Sequence, residues 1–286
     1  MSGYEPVNVS DGEPFDGPRG PGSPASPGSG RRHEPSIKVK VMGSLMCFCC
    51  LIFLYLGAEI AAWARQASCN FELGDLDVTW NTVIPSKTMT QMDVGIFTVL
   101  WLQVDVYDEN STNAPMIGSW SNLDLLFGMV EKYAYVQANG PTVLEAWQPW
   151  GIYFGQRYHV WTCSSLRREY YIEEDWWARP WFSFNSQQIF NIREMPSGRL
   201  VAKSQHRKND AWSWNAHWTA TVESLAGEAI ATLRQEASNP LWFFGNFQKW
   251  WVDNERPDLL PNEVVSFLAA VYDIDKAKEN KRKSKR

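Results

Sequence analysis

The sequence is short of the residues that most often carry chemistry. Its four histidines, His33, His159, His206 and His217, stand in unrelated surroundings. Its five cysteines show no zinc-type Cys/His spacing, and three of them, Cys47, Cys49 and Cys50, fall in one apolar run. The other two, Cys69 and Cys163, are too few for a disulfide scaffold; they form either one bridge in an oxidising compartment or two buried thiols. No nucleophile elbow, phosphate loop or dinucleotide fingerprint occurs, so no catalytic residue and no organic cofactor is expected. Positive charge is not in excess either. A net charge of −5 argues against general nucleic-acid binding.

What the chain does have is strongly segregated. Residues 1–36 are rich in Gly, Pro, Ser and Asp and cannot build a core, so a disordered tail is expected. Residues 41–63 form the longest apolar run, broken by one ionisable residue, Glu59. At about 23 residues the run is long enough to span a bilayer, and it reads as a single transmembrane helix. Arg31, Arg32, Lys38 and Lys40 precede it, whereas Arg65 alone follows before Glu72, Asp75 and Asp77. The positive-inside rule then places the N-terminus in the cytoplasm and the remainder on the lumenal or extracellular side. There Asn110-Ser111-Thr112 would be a glycosylation acceptor. Cys47, Cys49 and Cys50 are candidates for lipidation, although apolar packing explains them as well.

Beyond this run the chain alternates large apolar with polar residues, the mark of half-buried strands. The clearest segments are Leu102–Tyr107, Lys132–Val136, Arg157–Trp161, Gln188–Ile192, Trp218–Val222 and Phe247–Trp251. Their starts recur about every 25 to 31 residues, which signals repeated units. Turn residues punctuate them: Asp108-Glu109-Asn110, Asn139-Gly140-Pro141, Pro196-Ser197-Gly198 and Ala226-Gly227-Glu228. Return strands follow at Leu200–Ala202 and Ala229–Ala231. A series of hairpins loses its exposed edges by closing on itself. His159 and His217 lie in the extended segments, where packing is expected rather than ligation. Glu173-Glu174-Asp175 reads as a solvated loop.

The last apolar stretch is different. From Pro261 to Ile274 the residues Val264, Val265, Phe267, Leu268, Ala269, Ala270, Val271, Tyr272 and Ile274 leave almost no polar face. A helix that is apolar all round is buried, and this run is too short for a bilayer. It is expected as a core helix, 261–274, with Val264, Phe267, Leu268 and Val271 against a surrounding sheet.

Strand, turn, a Gly-x-Leu-Val-Ala return strand and an aromatic step, repeated and ending in an apolar helix, resemble the tubby-like C-terminal superfamily. That superfamily includes the LURP-one-related proteins and the phospholipid scramblases. The best-matching stretches are Ile189–Ala202 and Trp218–Ala231, and the likeness extends over roughly Phe97 to Asp275. It implies a mainly β fold, a closed antiparallel barrel of about twelve strands around the C-terminal hydrophobic helix. With the transmembrane helix in front, the domain is expected over 69–275. The resemblance also implies calcium as a candidate ligand for Asp253, Asn254, Glu255 and Asp258, which precede the terminal helix and carry suitable oxygens. Residues 276–286 are expected as a basic disordered tail.

The function these readings imply is that of a single-pass membrane protein whose barrel binds membrane lipid or a protein partner without catalysis. A phospholipid scramblase or lipid-transfer protein is the first alternative, and a lumenal enzyme the second.

Overall fold

The computed structural model describes residues 37–65, 68–69, 78–94, 101–109, 114–125, 130–149, 155–165, 167–178, 188–208, 218–236 and 246–284. The tail 1–36, Asn110 and His217 lie outside them. Of the described residues, 37–50 and those from Leu51 onward fall into separate units.

The first element, α1 (Ile37–Arg65), is a helix of 29 residues. It contains the whole run read as a transmembrane helix. Its side chains Leu45, Met46, Phe48, Phe53, Leu54 and Ile60 are exposed. Among the described residues no helix is long and apolar enough to cross a membrane. The described side chains of α1 run unbroken only from 44 to 57, so both ends of the expected span lie outside them.

Twelve strands follow: β1 (Lys87–Val94), β2 (Trp101–Asp108), β3 (Met116–Leu125), β4 (Val130–Gln137), β5 (Thr142–Trp147), β6 (Arg157–Thr162), β7 (Tyr170–Glu174), β8 (Gln188–Glu194), β9 (Arg199–Lys208), β10 (Trp218–Ser224), β11 (Ala229–Gln235) and β12 (Asn246–Asn254). Each pairs antiparallel with its sequence neighbour, and β1 pairs with β12, so the meander closes into a barrel. Closure demands an even strand count, because direction alternates along a meander and the first and last strands must meet antiparallel. Register shifts at Val106/Tyr107, Tyr135/Val136, Ile192/Arg193 and Val222/Glu223 mark bulges, which increase local twist and help the sheet curl. The hairpin between β10 and β11 turns at Gly227, whose φ of 79° suits a residue without Cβ.

The inward side chains follow the period of two. In β6 Tyr158, Val160 and Thr162 are buried, and in β10 Trp218, Ala220 and Val222. They converge on α2 (Asn262–Ser284), in which every residue from Asn262 to Ile274 is buried. The helix meets strands from all around the wall. Phe267 packs its ring 5.4 Å from Trp120 of β3, 5.2 Å from Tyr133 of β4 and 5.3 Å from Tyr158 of β6. Tyr272 lies against Phe190 of β8 and Trp250 of β12, and its hydroxyl is 2.6 Å from Ser204 Oγ of β9. Val264, Leu268 and Val271 are buried with them, as the sequence led us to expect. A closed barrel of this width would be hollow without a filler, and an all-apolar helix fills it with the fewest unsatisfied groups.

Two expectations are corrected. The helix begins at Asn262 and continues to Ser284, so 276–284 is helical rather than a disordered tail. An established helix propagates cheaply, and this segment contains no glycine or proline to stop it. Glu173 and Glu174 are not in a solvated loop but end β7. Glu174 is buried and its Oε2 accepts a hydrogen bond from Gln156 N at 3.1 Å.

Candidate functional site

The residues singled out for calcium do not converge. Asp253 pairs with Lys87 at 3.1 Å, and Asp258 is held by the Arg256 guanidinium, with contacts of 2.9 and 2.8 Å. Asn254 turns inward and donates to Leu260 O at 2.9 Å and Asn262 Oδ1 at 2.8 Å. Glu255 is exposed, its backbone N–H bonded to Ile230 O. Among the described residues no group of three or more His, Cys, Asp or Glu side chains could hold a metal ion. The oxygens of this segment instead lock the entry of α2. Glu263 accepts from the N–H groups of Asn81 and Val83, at 2.8 and 3.2 Å, while Asn81 Oδ1 accepts from Asn262 N. Asn81 sits at a φ of 65°, a left-handed conformation that asparagine tolerates.

The exit of α2 carries a second polar cluster. Lys278 Nζ lies 2.6 Å from Glu131 and 2.8 Å from Asp124. Glu131 also accepts the Tyr158 hydroxyl at 2.8 Å. Asp275 accepts two bonds of 2.7 Å from the Gln156 amide and one of 3.0 Å from Gln188. Burial pushes the Asp275 carboxyl up to about 6; Glu131 adds to this and Lys278 opposes it. Burial likewise raises the Tyr133 and Tyr158 hydroxyls far above the ordinary phenol range. Each side chain here has at least one partner within the fold, although Asp124 Oδ1 and Gln156 Oε1 are buried without one, and the cluster closes the barrel mouth.

With the interior occupied, a described concavity remains on the outer face. Across β4 to β8 one register row reads Lys132, Trp147, His159, Tyr171 and Arg193. Beside it Val130, Trp147, Gln148, Pro149, His159, Trp161 and Arg168 line a pocket of about 490 Å³. That size lies within the usual range for small-molecule sites. Its floor is fixed from below. Lys132 and Glu145 form an ion pair at 3.1 Å, both side chains nearly inaccessible, and Trp147 Nε1 donates to Glu145 Oε2 at 3.1 Å. Lys132 Nζ stands 5.1 Å from the Trp147 ring centroid. The backbone of Cys69 crosses over this pair, donating from N to Glu145 Oε1 at 2.7 Å, and Ser68 Oγ accepts from Lys132. A disulfide from Cys69 to Cys163, just beyond β6, holds that segment down. Two thiols that sequence reasoning left open are therefore bonded.

His159 serves the packing role expected of it, its ring 4.8 Å from that of Tyr171. Burial, assisted by the nearby Arg168 charge, lowers its imidazole to about 4, so it is neutral at pH 7. Trp147, Trp161 and Arg168 were not singled out from the sequence. The available signal was the outward phase of β6, where His159 and Trp161 alternate with buried Tyr158 and Val160. Cys47, Cys49 and Cys50 are free and exposed on α1.

No protein-family model, curated protein or solved structure matches this chain.

Proposed function

We propose that the protein is a membrane-anchored binding module without catalytic activity, a tubby-like barrel tethered by α1 and recognising its ligand on the outer face. The observation that carries this reading is the exposed apolar surface of α1. Leu45, Met46, Phe48, Phe53, Leu54 and Ile60 all face outward, an arrangement costly in water and favourable in lipid. The described side chains alone are too few in a row for a span, but the full run 41–63 has the length. The Cys69–Cys163 bridge supports a barrel on the oxidising side of the membrane. That agrees with the charge rule, which keeps Arg31, Arg32, Lys38 and Lys40 in the cytoplasm. The closed barrel with its buried terminal helix is what the tubby-like resemblance implies, and supports it. Because α2 occupies the interior, ligand recognition belongs to the outside, where the Trp147–Trp161 pocket lies.

The test is alkaline carbonate extraction and protease protection of the full chain in sealed microsomes. The protein should stay in the membrane pellet, and external protease should remove only the N-terminal tail. Release by carbonate would remove the anchor; loss of the barrel to external protease would reverse the orientation.

A further inference from the structure

We infer that the outer pocket takes a planar aromatic carboxylate, its ring against Trp147 and Trp161 and its carboxylate on Arg168. This rests on the reading that the outer face is the binding face.

The walls select for a ring. Trp147 and Trp161 project from the same face of neighbouring strands as diagonal partners, since Trp147 stands opposite His159 and Trp161 opposite Glu145. Val130 and Pro149 complete the apolar lining. Offset or edge-on stacking on indoles favours a flat π system over a flexible chain. The pocket of about 490 Å³ accommodates a two-ring body with room to spare.

Charge selects for a single negative group. Lys132 is neutralised by Glu145, and the remaining Glu145 contacts are taken by Cys69 N and Trp147 Nε1. His159 carries no charge at pH 7. Arg168 is exposed, and among the described residues no carboxylate pairs with it. The pocket therefore presents one net positive charge at its rim. A cation would meet Arg168 unopposed. A dianion would need a second cation, and among the described lining residues Arg168 is the one cation, Lys132 being committed to Glu145. A guanidinium fork matches a carboxylate in a bidentate pair, and its plane also stacks on aromatic faces. His159, neutral at pH 7, adds a polar ring edge along the wall.

The experiment is a ligand-observed NMR titration of the full chain in micelles with 2-naphthoate, using empty micelles as the blank. The neutral 2-naphthamide, cationic 2-naphthylmethylammonium and the acyl anion decanoate serve as comparisons. We expect saturable binding of 2-naphthoate and at least about tenfold weaker binding of the other three. Arg168→Gln should weaken 2-naphthoate about tenfold and leave 2-naphthamide unchanged. Trp161→Leu should weaken both. Equal affinity for naphthoate and naphthamide, or indifference to Arg168→Gln, would overturn the carboxylate assignment. Decanoate binding as tightly as naphthoate would overturn the ring, and the absence of saturable binding would overturn the site. Binding in micelles does not depend on how the chain meets a bilayer. A failed carbonate extraction therefore leaves this result standing, and a failed titration leaves the anchor standing.

Discussion

Lys278 Nζ lies 2.6 Å from Glu131 Oε1, joining residues 147 positions apart and fastening the end of α2 to the wall of the barrel. The pair is asymmetric in burial, with the lysine side chain 24% exposed and the glutamate 7%. Removing the cation strands Glu131 and Asp124 together. Lys278→Met should therefore cost about 2–4 kcal/mol, somewhat less than truncating a fully buried pair. Adding Glu131→Gln should recover part of it, since a neutral amide oxygen still accepts from Tyr158. Urea unfolding of the two variants and of Glu131→Gln alone closes a double-mutant cycle. Additive effects would show that the two groups do not interact.

Much of the barrel was legible because its inner face is written in large apolar residues at period two. Tyr158 and Val160, or Ala220 and Val222, declare their strands unaided. β1 did not, because its inward residues include Thr88 and Thr90, which are buried yet polar. The span of α2 was misjudged at its far end for a related reason. Lys278 looks like the start of a solvated run, and only the distant Asp124 and Glu131 explain why a lysine belongs at the barrel mouth. The outer pocket was illegible because its members come from β4, β5, β6 and the β6–β7 connection. Trp147 belongs to β5 and Arg168 to the β6–β7 connection, and their closeness arises from strand pairing rather than from any local pattern.

The packing of α2 makes a sharp demand on Leu268, which is fully buried. Leu268→Ala leaves a cavity inside a closed wall that has little freedom to collapse, and should cost about 2–5 kcal/mol. Leu268→Asp buries an unpaired charge and should be worse. Thermal melting of the full chain reads both. A melt unchanged by Leu268→Asp would place the helix outside the barrel.

The Cys69–Cys163 bridge closes a segment with a sequence separation of 94 and pins the chain that follows α1 over the Lys132–Glu145 pair. Replacing both cysteines by serine should cost about 2–5 kcal/mol, with the entropic account near the upper end for so long a loop. Because Cys69 N also covers Glu145, the variant should additionally hydrate that ion pair. The Trp147 fluorescence environment should then shift, isolated by comparison with Trp147→Phe. A melting point insensitive to both reductant and the double substitution would mean that the bridge does not form.

Two groups set opposite pH dependences. In the folded protein Asp275 is raised to about 6 from its ordinary value of 3.8, so the folded state holds more protons than the unfolded between those values. Stability from this group therefore grows as pH falls through 6 and is complete near 4. The shift corresponds to at most about 3 kcal/mol. His159 acts the other way. Its folded value is lowered to about 4 from 6.5, so the unfolded chain takes up the proton first and stability is lost as pH falls through that window. Its ring is partly in solvent, which makes the loss smaller than the bare shift suggests. The two act in opposite directions between pH 4 and 6.5. Single substitutions should uncover each. Asp275→Asn removes the cost of the buried charge, so the variant should exceed the native protein in stability at pH 7.5, the advantage fading by pH 4.5. His159→Gln should match the native protein at pH 7.5 and surpass it at pH 4.5. Denaturant midpoints across this range decide the matter. If Asp275→Asn shows the same slope as the native protein, the carboxyl at the barrel mouth is hydrated, and α2 does not seal it.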